Sequence, residues 1–264
     1  MSALIAMCCY DTEENGRTKY TELVLDSIDN NVNLRKHRLI IIDNNSCQAT
    51  HKAFEHFTSR LWDENVEIIY NDTNLGTAEA INLAWKQAKE TECLIKMDND
   101  IVVHQRGWVD EMEECINRDP NIGILGLKRN DLEENPTHHV LNWRSELVMV
   151  PHEAGQTWLI IEKVKHVMGS CMMVNPLLFN KIGYLYQVGQ YALDDSDFSQ
   201  RSILAGFINA FLPSIHISHI DEGGTEYTEH KKKYAGERLN EFAERCQQYA
   251  NGTRSLFYSP FETT

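Results

Sequence analysis

ECLIKMDNDIVVHQRGW, residues 92–108, sets a carboxylate pair inside an apolar segment. The run through Leu94, Ile95 and Met97 reaches Asp98-Asn99-Asp100 and turns apolar again at Ile101-Val102-Val103. Carboxylates are poor strand residues and costly to bury unpaired. Their position points to a strand that ends at a functional edge, because open parallel sheets bind ligands beyond the carboxyl ends of their strands. Residues i and i+2 of an extended chain point the same way. Asp98 and Asp100 are therefore expected to converge on one ligand. A divalent cation bound to a diphosphate is the natural candidate, since Mg²⁺ and Mn²⁺ take carboxylate oxygens together with phosphate oxygens.

The segments before this stretch alternate in character. Residues 3–10 (ALIAMCCY), 37–46 (HRLIIIDNNS), 66–72 (VEIIYND) and 93–98 (CLIKMD) read as strands. Between them, 20–32, 48–62 and 75–90 carry helical spacing. Strand–helix alternation at this interval predicts an α/β fold with a mostly parallel sheet flanked by helices. Three strand ends carry polar residues suited to such an edge: Tyr10-Asp11, Asp43-Asn44-Asn45 and Asp98-Asn99-Asp100. The second half is less regular. It predicts a helix at 107–119, a strand at 122–128, and strand-rich stretches at 138–150 and 156–174 suited to hairpins. A short helix at 176–183, a helix at 195–206, a strand at 207–220 and a long polar helix at 227–250 follow. No repeat, low-complexity tract or linker interrupts the chain. One domain is expected over 1–264: a nucleotide-binding half (1–100), a mixed acceptor-side half (101–225), and a C-terminal helix and tail (226–264).

The balance of 25 basic against 39 acidic residues gives a formal charge of −14, which disfavours broad contact with phosphate backbones. Seven cysteines, an odd number without any C-x-x-C pair, fit reduced buried thiols better than a zinc ribbon or a disulfide framework. No apolar run approaches the ~18 residues of a membrane span, and no basic leader precedes the first strand. The expectation is a soluble, cytoplasmic protein.

A second D-x-D lies in YALDDSDFSQRSILAGF, residues 191–207. A chain with 15 aspartates meets about one such motif by chance, so position must carry the argument. Asp194 and Asp195 precede a helix and suit its dipole. Asp197 and Arg201, spaced i,i+4, suit a surface pair. One carboxylate is left over, and a carboxylate at a helix start beside a cleft can act as a general base.

Six pieces, in order, resemble glycosyltransferase family 2, inverting enzymes of the GT-A fold. They are the strand ending at Tyr10-Asp11, IIIDNNS, NLGTAEAIN, KMDND, VMGSCMMVNPLLFNKIGYL and LDDSDFSQRSILAGF. Together they span roughly 3–235. Three departures stand out: Asp194 where Glu is usual, Asn175 where Arg or Lys is frequent, and no Pro after the first strand.

The resemblance implies transfer of a sugar from a nucleoside-diphosphate sugar, uridine-based by family preference, to an acceptor hydroxyl. It implies a divalent cation, Mn or Mg. It places Asp11 and Asp43 on the uridine, and Asn74, Gly76 and Asn82 in the donor segment. Asp98 would touch the ribose or the cation's water, and Asp100 would ligate the cation, with His219 completing its site. Asp195 would be the general base, with Asp194 and Asp197 orienting it or touching the acceptor. HKKKY (230–234) suits either a diphosphate contact or a solvated helix face. Trp143 and Trp158 suit the core better than sugar stacking.

Two other classes compete. A nucleotide-sugar-forming nucleotidyltransferase would carry a Gly-rich basic loop after its first strand, where this chain has acidic CCYDTEENGR with a single Gly. A noncatalytic sugar- or nucleotide-binding module has no need of the full acid set at 98, 100, 195 and 197. A soluble carbohydrate acceptor is favoured. A hydroxymethylated base in phage DNA is the lesser reading and would need a basic strip from Lys163, Lys165 and Lys231–Lys233.

Overall fold

A computed structural model describes residues 2–61, 65–130, 146–150, 159–190, 193–221 and 225–261, with the backbone alone at 146–150, 159 and 225–237. Strands β1 (Ala3–Cys9), β2 (Arg38–Asp43), β3 (Val66–Tyr70) and β4 (Cys93–Asp98) pair in parallel in the order β3-β2-β1-β4. Helices α1 (Thr18–Asn31), α2 (Gln48–Arg60) and α3 (Thr77–Trp85) connect them. β1, β2 and β4 are almost wholly buried and mostly apolar because both of their faces are covered. Ala3, Ile5 and Met7 pack with Val24, Leu25 and Ile28 of α1 and Phe54 and Phe57 of α2. Leu4 and Ala6 face the other way, onto Ala80, Ile81, Ala84 and Trp85 of α3.

The sheet continues without a break into the second half. β5 (Ile101–Val103), α4 (Trp108–Arg118), β6 (Ile122–Arg129), β7 (Glu146–Val150), β8 (Leu159–Val164) and β9 (Cys171–Val174) are followed by α5 (Pro176–Ile182), α6 (Asp194–Leu204), β10 (Ile208–His219) and α7 (Thr225–Ala250). The order is β3-β2-β1-β4-β9-β6-β10-β8-β7, with β5 pairing antiparallel to the far end of β10. α5 and α6 join α3 on one face, through Leu178, Ile182 and Phe198. α4 joins α1 and α2 on the other, through Trp108, Met112 and Ile116.

The antiparallel pairing expected of 138–150 and 156–174 forms between β7 and β8, but other expectations are corrected here. β8 pairs with β7 and β10, whereas β9 runs antiparallel between β4 and β6. Asp98 and Asp100 do not share one extended strand. β4 stops at Asp98, residues 99 and 100 turn, and β5 is a separate strand held by 217–219. That turn explains two apolar runs on either side of three polar residues. Helix α3 ends at Trp85, short of the expected 90. Trp143, Trp158 and most of 138–150 lie outside the described residues.

Candidate active site

The carboxyl ends of β1, β2, β4 and β10 bring the candidate residues to one edge. At β2, Asp43 Oδ2 lies 2.8 Å from His51 Nε2, and its Oδ1 accepts from Ser46 N at 3.1 Å. His51 meets the exposed Tyr70 ring edge-on at 5.3 Å. Beside it, Asn44 Nδ2 donates to Asn74 Oδ1 and to Gly76 O, both at 3.2 Å, and Gly76 N donates to Asn74 Oδ1 at 2.8 Å. Gly76 has φ +84°, and a Cβ there would stand 2.7 Å from Gln190 Cα and O. Only glycine permits both that backbone angle and the crossing of the 185–190 segment over the start of α3.

Two residues expected on the substrate hold the frame instead. Asp11 has no accessible surface. Its Oδ2 accepts from Thr21 Oγ1 at 2.5 Å and Thr50 Oγ1 at 3.3 Å, and its Oδ1 from Asn99 Nδ2 at 2.8 Å. It thereby fastens α1, α2 and the turn after β4 to β1. Asn82, buried in α3, donates to Leu185 O and accepts from Leu185 N at 2.9 and 3.0 Å. Both groups are consumed by that bracket.

The second acid cluster sits across from Asp98. Lys96, inside the apolar β4 and only 3% exposed, donates to Asp98 Oδ1 at 2.8 Å and to Gly169 O at 2.5 Å. A Cβ on Gly169 would stand 2.7 Å from Lys96 Nζ and 3.2 Å from Asp195 Cβ. That bare backbone lets β4 and α6 approach. Asp195 Oδ2 accepts from Gly169 N at 2.9 Å and lies 3.4 Å from His166 Nε2.

The two neighbours in sequence diverge in charge state. Burial favours the protonated form of both. At Asp195, the His166 charge and hydrogen bond, the Gly169 N–H and Lys96 outweigh burial and hold the carboxyl well below the usual range. At Asp194, burial wins over Lys96 with help from the charges of Asp195 and Asp98, and the pKa is pushed up to about 6. Burial opposes a charge on His166, but Asp195 overrides it and raises the imidazole's pKa. Environments that drive two carboxyls apart divide acid from base.

Asp197, expected in a surface pair, orienting the base or at the acceptor, is fully buried. It accepts from Arg201 Nε at 2.7 Å, Arg245 Nε at 2.9 Å and Tyr249 Oη at 3.2 Å. Its place is the seam between α6 and α7, away from solvent.

The third cluster lies between β4 and β10. Asp100 is 3% exposed; its Oδ2 accepts from Arg17 Nη2 at 2.7 Å and lies 3.5 Å from His219 Nε2. Its Oδ1 is buried with no hydrogen-bond partner. A buried carboxylate oxygen left unpaired is costly, and a carboxylate beside an imidazole suits a divalent cation. A different trio, His37, Asp110 and Glu113, brings ligand atoms within 4.8 Å of one another at the opposite edge. It suits a cation less well. Ala3 N donates to His37 Nδ1 at 3.1 Å, which leaves the neutral ring's proton on Nε2, facing Asp110. Lys36 already neutralises Asp110 and Glu113, at 2.5 and 2.7 Å.

Arg17, Lys96 and His166 were not singled out from sequence. Lys96 left a signal, a lone cation in an apolar strand, and Arg17 closes the acidic loop after β1. His166 left none. Lys163 and Lys165 are exposed, while the side chains of 231–233 lie outside the description.

Among the described residues no helix is long and apolar enough to cross a membrane. The fold is that of GT-A glycosyltransferase structures. The mannosyltransferase PcManGT from Pyrobaculum calidifontis, solved with GDP-Man and Mn²⁺, superposes with a TM-score of 0.69 at 16% identity, over 93% of this chain and 64% of that one. GalNAc-T7, solved with UDP, GalNAc and Mn²⁺, gives 0.64 at 14% identity, over 95% of this chain and 56% of that one. S. aureus TarS 1–349 in complex with UDP-GlcNAc gives 0.58 at 16% identity, over 87% and 64%. The chain thus spans less than two thirds of the length of each. No curated protein sequence matches the chain. The model of glycosyl transferase family 2 matches residues 5–183, and the chain belongs to that family.

Proposed function

We propose that this chain is an inverting glycosyltransferase that moves a sugar from a nucleoside-diphosphate donor to an acceptor hydroxyl, with Asp195 as general base. The carrying observation is the arrangement around Gly169: the Asp195 carboxyl stands on one side and the Lys96–Asp98 pair on the other. Residues 1–100 would hold the nucleotide, with the base over Asp43 and the exposed Tyr70. The structures solved with UDP or UDP-GlcNAc support a uridine nucleotide as the first donor to test; PcManGT, solved with GDP-Man, makes GDP the second.

Asp100 and His219 would hold the divalent cation, Mn²⁺ or Mg²⁺, which as a Lewis acid neutralises charge on the departing diphosphate. Asp98 would face the ribose. Asp195 would accept the acceptor's hydroxyl proton as the new C–O bond forms at the anomeric carbon and the bond to the diphosphate breaks. His166 and the Gly169 N–H keep the base ionised and aimed. Asp194, its neighbour in sequence, is buried, and burial raises its pKa. Residues 101–225 would bind the acceptor, a carbohydrate before a modified DNA base.

Thermal stabilisation tests the donor site. Wild type and Asp100→Ala are compared with UDP, GDP, CMP and dTDP, each with and without Mn²⁺. Ligand at about 100 times its dissociation constant adds ~2.7 kcal/mol. A shift that needs Mn²⁺, follows one nucleotide and vanishes in the variant supports the reading; no shift with any nucleotide overturns it. Asp195→Asn should then keep the nucleotide shift and lose ~10²–10⁴ in transfer rate. Undiminished turnover would remove Asp195 as the base.

A further inference from the structure

The loop after β1 delivers a cation to the same edge. Asn15 Oδ1 accepts from Thr12 N at 2.9 Å and Arg17 N at 3.1 Å, Asn15 Nδ2 donates to Tyr10 O at 3.0 Å, and Gly16 turns the chain at φ +60°. This brace aims Arg17 back across the strand ends. Its Nη2 donates to Asp100 Oδ2 at 2.7 Å and to Asn99 Oδ1 at 3.4 Å, while Nη1 donates to Asp221 Oδ2. Asp100 follows β4 and Asp221 follows β10, so the guanidinium ties two separate elements together through their charges. The remaining Asp100 oxygen has no hydrogen-bond partner, and His219 stands 3.5 Å from the oxygen that Arg17 occupies.

We propose that Arg17 is a built-in stand-in for the divalent cation at Asp100, and that its guanidinium must release Oδ2 for the cation to bind there. The inference rests on the reading of Asp100 as a cation ligand. A ligand that binds only one fraction of the population loses apparent affinity by that fraction. The cation is therefore weakened when alone. A displaced Arg17 fork suits a diphosphate, so nucleotide and cation should each strengthen the other's binding by the same factor.

Binding of Mn²⁺ is measured from its free EPR signal, with and without UDP, on wild type, Arg17→Gln and Asp100→Asn. Arg17→Gln should bind Mn²⁺ alone at least about tenfold more tightly than wild type, the equivalent of one hydrogen bond to a charged group. Asp100→Asn should lose the site. If Asp100→Asn loses the site but Arg17→Gln binds no more tightly than wild type, the stand-in role is overturned and the metal reading survives. If wild type binds no Mn²⁺ even with UDP, or Asp100→Asn binds it as well as wild type, both fall. A second readout needs no altered protein for the titration. In wild type, the arginine Nε resonance that disappears in Arg17→Gln or Arg17→Lys should move in step with Mg²⁺ saturation. A resonance that stays fixed through saturation overturns the proposal.

Discussion

Replacing Asp197 with Ala should cost the protein a large share of its stability. The carboxylate sits at the seam of α6 and α7 with no exposure, and Arg201 is equally buried. Removing it strips Arg201 Nε, Arg245 Nε and Tyr249 Oη of their acceptor. Arg201 keeps hydrogen bonds to the carbonyls of Ile182, Tyr184 and Leu256, so its donors are largely satisfied while its charge is not. Breaking a buried ion pair from one side costs about 3–5 kcal/mol. For a chain of this size each kcal/mol lowers Tm by ~2–4 °C, which gives a fall of roughly 6–20 °C. Urea unfolding of Asp197→Ala, Arg245→Met and the double variant measures it. The single losses should sum to clearly more than the double loss, because either change already breaks the same pair. A loss below about 1 kcal/mol in Asp197→Ala would refute the structural role and return Asp197 to the acceptor site.

Two further outcomes follow from the same geometry. His166→Gln should destabilise the fold by ~1 kcal/mol or more near pH 6 and by progressively less in alkali. The raised His166 pKa makes its contribution complete below the unfolded value of about 6.5 and lost as pH rises through the folded value. The depressed Asp195 pKa makes its share present above about 3.9 and lost as pH falls through the folded value. Urea unfolding at pH 5.5, 7 and 9 checks this, and a difference that grows toward pH 9 would contradict it. Gly76→Ala should cost ~1–3 kcal/mol for the positive φ alone and more for the contact with the Gln190 backbone. An unchanged Tm would mean that the 185–190 segment does not lie where the structure has it.

The parallel half of the fold was legible because its signals are local. Each strand is a short apolar run, each helix carries its own spacing, and the polar residues at 10–11, 43–45 and 98–100 mark the strand ends. The seating of β9 between β4 and β6 was not legible, since nothing within CMMV states which distant edge it will meet. Asp197 and Arg201 carried an i,i+4 signature that is the same on a surface and in a core. Only α7, packing from far along the chain through Arg245 and Tyr249, decides between them. Asp11 and Asn82 sat in matching motif positions, but their hydrogen-bond partners come from other elements and take up their polar groups. Arg17 reaches Asp100 from a loop more than 80 positions away, a distance that no spacing rule covers.

The place of β9 has a consequence for synthesis of the chain. β4 is among the most deeply covered strands, with Cys93, Leu94, Ile95 and Met97 at most 1% exposed, and β9 supplies its second neighbour. Until residue 174 leaves the ribosome, β4 can pair only with β1. Its other edge is a row of open amides and carbonyls on an apolar ribbon, the kind of edge that recruits a strand from another molecule. A nascent chain halted between β4 and β9, or a fragment cut at residue 100, should therefore aggregate or bind chaperones, even though its sequence already contains four strands and three helices.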